Sequence, residues 1–134
     1  MSCVQQPKVR YMIVCDEILK DASRPGKPLI VGLTSLVRWR GENEPTMLAK
    51  MTVFLVLTDG RGTGRGLIRC VDETDGDEAF RSVVIPISFA GHEPIGLYGV
   101  EFRLNDCPFP HPVNYLVQFL FDDAVVEERI VTVR

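Results

Sequence analysis

The sequence predicts an all-β protein: an antiparallel two-sheet β-sandwich, immunoglobulin-like or a similar Greek key, of about eight strands. Three observations lead there. Apolar residues alternate with a period of two in one segment after another, as in Val9, Tyr11, Ile13 and Cys15, or in Val113, Tyr115, Val117, Phe119 and Phe121. Turn-forming clusters of Gly, Pro, Asn and Asp separate these segments at short intervals. No stretch joins a helical period to helix caps. At 134 residues a single domain spanning 1–134 is expected. A chain of this size removes roughly two-thirds of its unfolded surface from water on folding, so it needs no disulfide or metal staple.

Val9 to Cys15 reads as a first strand with Arg10 on its outer face. Asp16 to Asp21 has the composition of one helical turn, and Arg24-Pro25-Gly26-Lys27-Pro28 then breaks regular structure. From Leu29 the odd positions Leu29, Val31, Leu33, Val37 and Trp39 are apolar, which predicts one second strand to about Trp39, with Gly32 at a bulge. Gly41 to Thr46 is a polar connection. The longest apolar run, Lys50 to Asp59, follows; both its alternating faces are apolar, so it is predicted as the central strand.

Asp59 to Gly66 is glycine-rich and is expected to join that strand to Leu67–Val71 as a hairpin with a mobile loop. Asp75-Gly76-Asp77 marks a turn. Phe80 to Phe89 carries Pro86, which lacks the ladder donor, so this strand belongs at a sheet edge or carries a bulge. Ala90 to Pro94 turns again. Tyr98, Val100, Phe102 and Leu104 then alternate against Gly99, Glu101 and Arg103, the pattern of a strand buried on one face. Asn105 to Pro112 holds three prolines in eight residues and is expected to end the ladder. Val113 to Phe121, a turn at Asp122-Asp123 and Ala124 to Val133 make a final hairpin.

The composition excludes more than it selects. A net charge of −3 gives no general attraction to nucleic acid or anionic lipid. No apolar run reaches the roughly 18 residues of a membrane span, and the polar opening Met1 to Lys8 does not read as a signal peptide, so a cytoplasmic location is expected. Cys3, Cys15, Cys70 and Cys107 are scattered, with no C-x-x-C spacing, and read as buried reduced thiols.

Four constellations invite chemistry. The Gly60 to Gly66 loop lacks a G-x-G-x-x-G register, since Leu67 stands at the third glycine, and no Gly-Lys-Ser/Thr or helix follows. Its Arg61 and Arg65, with Arg69 beyond, offer at most a small anion patch. Asp72 to Glu78 is acidic enough for calcium, but placing Gly76 at the glycine position of a helix-loop-helix calcium loop puts Val71 at the first ligand position. It reads as an Asp-Gly turn. Cys107 and His111 lie four apart in an irregular loop, which supplies neither hydrogen-bond reach nor an orienting third group. As a metal site they are half a ligand set, with His92 in another loop. Trp39, between Arg38 and Arg40, is a stacking platform in principle, but its parity with Leu33 and Val37 favours packing.

Several segments together resemble an uncharacterised bacterial family of small single-domain proteins: a strand ending in Cys-Asp (Val9 to Asp16), a lysine-led strand with Gly-Leu (Lys27 to Leu33), a Gly-x-Tyr strand (Gly96 to Tyr98) and an Arg-x-x-x-Val ending (Arg129 to Val133). The resemblance implies a β-sandwich with no assigned activity, and carries over no catalytic, cofactor-binding or metal residue. The expected function is therefore a non-enzymatic, cytoplasmic module acting through protein contacts, with itself or another protein, without nucleic acid or membrane. The apolar residues on both faces of the central strand, with Leu116 and Leu120 opposite the Val113 to Phe121 stripe, exceed what one core needs. The alternative is a ligand- or calcium-binding sandwich using its loops.

Overall fold

A computed structural model describes residues 4–20, 23, 27–41, 45–89 and 96–134. The expected turn at Ala90 to Pro94, most of that at Arg24 to Pro28, Glu42 to Glu44, Cys3 and His92 fall outside these. The described residues form ten strands and no helix: β1 (Lys8–Lys20), β2 (Pro28–Leu33), β3 (Leu36–Val37), β4 (Thr46–Thr58), β5 (Thr63–Asp72), β6 (Glu78–Arg81), β7 (Ile85–Ser88), β8 (Tyr98–Phe109), β9 (Asn114–Phe121) and β10 (Ala124–Val133). One sheet has the order β2-β1-β4-β8 and the other β3-β10-β9-β5-β6, with β7 also on β5. The chain crosses between sheets after β2, β3, β4, β7 and β8, which is a Greek-key, immunoglobulin-like sandwich. One short pairing, β3 with β10, is parallel.

The core lies between the sheets and follows period-two alternation. From β4 it takes Met51, Val53, Leu55 and Leu57, all fully buried, and from β9 Tyr115, Val117, Phe119 and Phe121. Val100, Phe102 and Leu104 of β8 lie beside the β4 residues and face those of β9. Edge-to-face ring pairs, Phe109 on Tyr115 at 5.0 Å and on Phe80 at 5.4 Å, bind the two sheets at one end; Phe89 on Tyr98 at 5.3 Å does so at the other. The β9–β10 hairpin turns on Asp122 and Asp123, both with positive φ, as a two-residue loop of this handedness requires.

Six expectations need correcting. In β1 the core face is Met12 and Val14, while Tyr11 is exposed, because a register shift between Val9 and Tyr11 moves the side chains to the opposite face. Residues 16–20 are not a helical turn but continue β1, paired with β2. The single strand expected from Leu29 to Trp39 is two strands in different sheets; Gly32, at φ 66, and the bend at Ser35 redirect the chain although the apolar parity runs on. β4 and β5 are not a hairpin, since they lie in opposite sheets. The Phe80 to Phe89 run is split into β6 and β7, and both pair with β5 at the sheet edge that Pro86 predicted. Finally, the ladder does not stop at Asn105: β8 runs to Phe109, tolerating Pro108 because β8 is itself an edge strand.

Candidate functional site

The glycine-rich segment is a packing device. A Cβ on Gly60 would come within 2.5 Å of the Phe89 ring, one on Gly66 within 2.5 Å of Ile87, and one on Gly64 would overlap the ring of Phe121. Gly64 and Gly66 belong to β5, and Gly60 and Gly64 are buried, so a mobile hairpin tip is not what they form. The three arginines have different partners. Arg61 exchanges main-chain bonds with Gln5; the Arg65 carbonyl accepts from the Asp122 amide at 2.9 Å, and the Arg65 amide donates to Asp122 Oδ1 at 2.8 Å. Arg69 donates from Nε to Gln118 Oε1 at 2.8 Å, and Gln118 donates onward to Glu128 at 2.9 Å.

The acidic turn is engaged in holding itself. Asp72 accepts from the Thr74 amide at 2.7 Å and Asp75 from the Asp77 amide at 2.9 Å. Glu78 pairs with Arg81, whose hydrogen bond holds its carboxyl below the usual range. Asp72, Asp75, Asp77, Glu78 and His111 nevertheless line one hollow of about 190 Å3. Among the described residues no group of three or more His, Cys, Asp or Glu is arranged to hold a metal ion.

Cys107 and His111 are not brought together as a thiolate and base. Cys107 lies on β8 inside the core, 1% exposed, and burial first, then the charge of Asp106, push its thiol up to about 11. Burial likewise raises the thiols of Cys70 and Cys15, and all three are free. His111 is exposed, and its main chain is clamped by Tyr115: the phenol accepts from the His111 amide and donates to its carbonyl, both at 2.9 Å. This is the tyrosine corner of immunoglobulin-like sandwiches, at the start of β9. Sequence reasoning took Tyr115 for a core residue only. The signal available was its position four residues beyond His111, just past the proline-rich loop.

What the fold does assemble is an apolar surface. Beyond Cys15, β1 pairs only with β2, so the two strands form a ribbon at the edge of the four-stranded sheet. Leu19, Leu29, Ile30 and Leu33 on this ribbon are exposed, Leu33 to 74%. Beside Leu33 opens a groove of about 840 Å3, walled by Leu36, Trp39, Met47 and Leu48, with Asp16 and Arg38 also lining it. Leu36 and Met47 are half exposed or more. Trp39 is half-buried against the core, with its amide bonded to the Arg134 carbonyl at 3.0 Å, so it lines the groove from a fixed position. Of the other surplus apolar residues, Phe54 and Val56 are half-buried on the outside of β4, Leu116 is half-buried and Leu120 buried.

No family model matches the chain, and no curated protein matches it, in keeping with its resemblance to a family without assigned activity. Among solved structures it is similar to an alkylpurine DNA glycosylase from Pseudomonas fluorescens, bound to DNA containing an abasic-site analogue. The identity is 10% and the TM-score 0.50; 96% of this chain is covered, but only 30% of the glycosylase. It is also similar to an immunoglobulin-like protein from Pseudomonas aeruginosa at 12% identity, with 97% and 98% of the two chains covered and a TM-score of 0.42. At 10% identity the likeness to the glycosylase concerns the fold alone. Among the described residues no helix is long and apolar enough to cross a membrane.

Proposed function

We propose that this chain is a non-enzymatic, cytoplasmic β-sandwich module that works through protein contacts, including contacts with its own copies. One observation carries the reading: among the described residues, five of the thirteen exposed large hydrophobics, Leu19, Leu29, Leu33, Leu36 and Met47, gather on one face of the β1–β2 ribbon and at the mouth of the adjoining groove. Apolar residues scattered singly need no explanation, but a contiguous patch marks a contact surface. The described thiols are buried and the Arg69 side chain is held by Gln118, which favours contact over chemistry. Photo-crosslinking in native cells tests the reading, with the reactive group at Leu33 and, as control, at exposed Glu73. Protein adducts at position 33 and none at 73 are expected; no protein adduct at 33 refutes it.

A second reading, a ligand- or calcium-binding sandwich, draws on the acidic hollow beside His111. It requires calcium at a hundredfold excess over its dissociation constant to stabilise the fold by about 2.7 kcal/mol. The contact-module reading predicts no such shift.

A further inference from the structure

We infer that the partner of the β2 edge is the β2 edge of a second copy, the two strands pairing antiparallel about a twofold axis. This rests on the contact-module reading and names its partner. The main chain sets the geometry. The Thr34 amide donates to the Val14 carbonyl of β1 at 2.8 Å. Peptide groups alternate sides along a strand, so those of Gly32 and Ile30 also turn toward β1. The odd residues Leu29, Val31 and Leu33 turn their N–H and C=O groups to the open side, where no strand pairs among the described residues.

Open edges are normally guarded by charge, proline or irregularity. The edge of β8 has Glu101, Arg103, Pro108 and the positive φ of Asp106; β6 and β7 are interrupted; β3 is two residues long. From Pro28 to Leu33, β2 has no charged side chain; Pro28 stands at its first position with its ring on the β1 side of the parity, and Gly32, though at φ 66, leaves the ladder in register, with Val31 on Glu17 and Leu33 on Cys15. A copy satisfies this edge in one register. With Val31 opposite Val31 of the copy, Leu29 lies opposite Leu33 and the reverse, all with main-chain groups directed at one another. Faces match as well, outer against outer, which a twofold perpendicular to the sheet requires. Lys27 falls about 26 Å from Lys27 of the copy, well beyond the screening length, so no like charges meet. The pair joins two four-stranded sheets into one of eight and closes both open edges.

The side chains brought to the seam are Leu29, Val31 and Leu33 of each copy, with Leu29 and Leu33 more than half exposed, so the contact is narrow and belongs with the small, transient interfaces. A dimer forming in the micromolar range follows, rather than a permanent one.

Sedimentation equilibrium across micromolar concentrations, with paired charge variants, tests this. The wild type is expected to approach twice its 15.0 kDa chain mass. The double variants L29K/L33K and L29E/L33E each set like charges opposite one another and are expected to stay monomeric, while an equal mixture restores the dimer. V31P removes the central edge donor without touching the β1 ladder and is expected to be monomeric; it serves if a charged variant loses its cooperative thermal transition. A wild type monomeric throughout overturns the inference while leaving the contact reading to the Leu33 crosslinks. A dimer that persists in the variants also overturns it, because the copies then meet elsewhere.

Discussion

Replacing Gly64 by alanine tests whether the glycine-rich segment is packed or mobile. Its new methyl would overlap the ring of Phe121, which is 2% exposed and has the Phe89 ring 6.1 Å away on centroids. The β5 main chain at Gly64 is held by Ile87 of β7 and, from Gly66 on, by β9, and the ring is buried against Phe89, so neither yields freely. Overpacking of this kind costs about 1–3 kcal/mol, less the roughly 0.5–1 kcal/mol that alanine gains over glycine in a strand. The difference spans about 0–2.5 kcal/mol, and the overlap at Gly64, the closest at any described glycine, puts the expected net loss in its upper part, about 1–2 kcal/mol. For a domain of this length each kcal/mol moves the melting temperature by about 3–4 °C. Gly99 is the internal control: a Cβ there meets only Phe54, at 3.7 Å. Gly64→Ala should therefore melt about 3–8 °C below wild type, and Gly99→Ala at or slightly above it, by calorimetry. If Gly64→Ala melts with or above the wild type, the packing argument fails and the segment is the loose loop its composition suggests.

Tyr115→Phe removes both hydrogen bonds to the His111 main chain at constant ring packing, so a loss of about 1–3 kcal/mol is expected by urea unfolding. A loss below about 0.5 kcal/mol would show that water replaces the phenol freely. Cys107 holds its proton to about pH 11 in the folded state against 9.0 for an unperturbed thiol, so unfolding releases a proton in that window. Stability should be insensitive to this group below pH 9 and fall by about 2–3 kcal/mol as pH rises to about 11. Cys107→Ala should flatten that slope relative to wild type, and an unchanged slope would refute the assignment.

The interior was legible because burial writes itself as period two. The faces of β4, β8 and β9 could be read directly from Met51 to Leu57, Val100 to Leu104 and Tyr115 to Phe121. What could not be read were changes of face or sheet that leave the apolar parity intact. The register shift beside Tyr11 costs one residue of phase, and the odd-position run from Leu29 to Trp39 continues across a change of sheet at Gly32. The glycines near Arg61 read as a loop because their requirement, a ring lying against the main chain, comes from Phe89 and Phe121, distant in sequence. The candidate surface was half legible. A surplus of apolar residues was visible, but it was assigned to the central strand and to Leu116 and Leu120. Residues 29–33 read as core because exposure depends on β2 being an edge, which only strand order decides.

Amide hydrogen exchange along β2, followed against protein concentration, addresses the open edge most directly. Ile30 and Gly32, turned toward β1, should be protected at every concentration. Leu29, Val31 and Leu33 should exchange quickly in dilute protein and slow as micromolar concentrations are reached. Fast exchange of the odd-numbered amides at all concentrations, or protection of both sets in dilute protein, would contradict an open edge that a second copy closes.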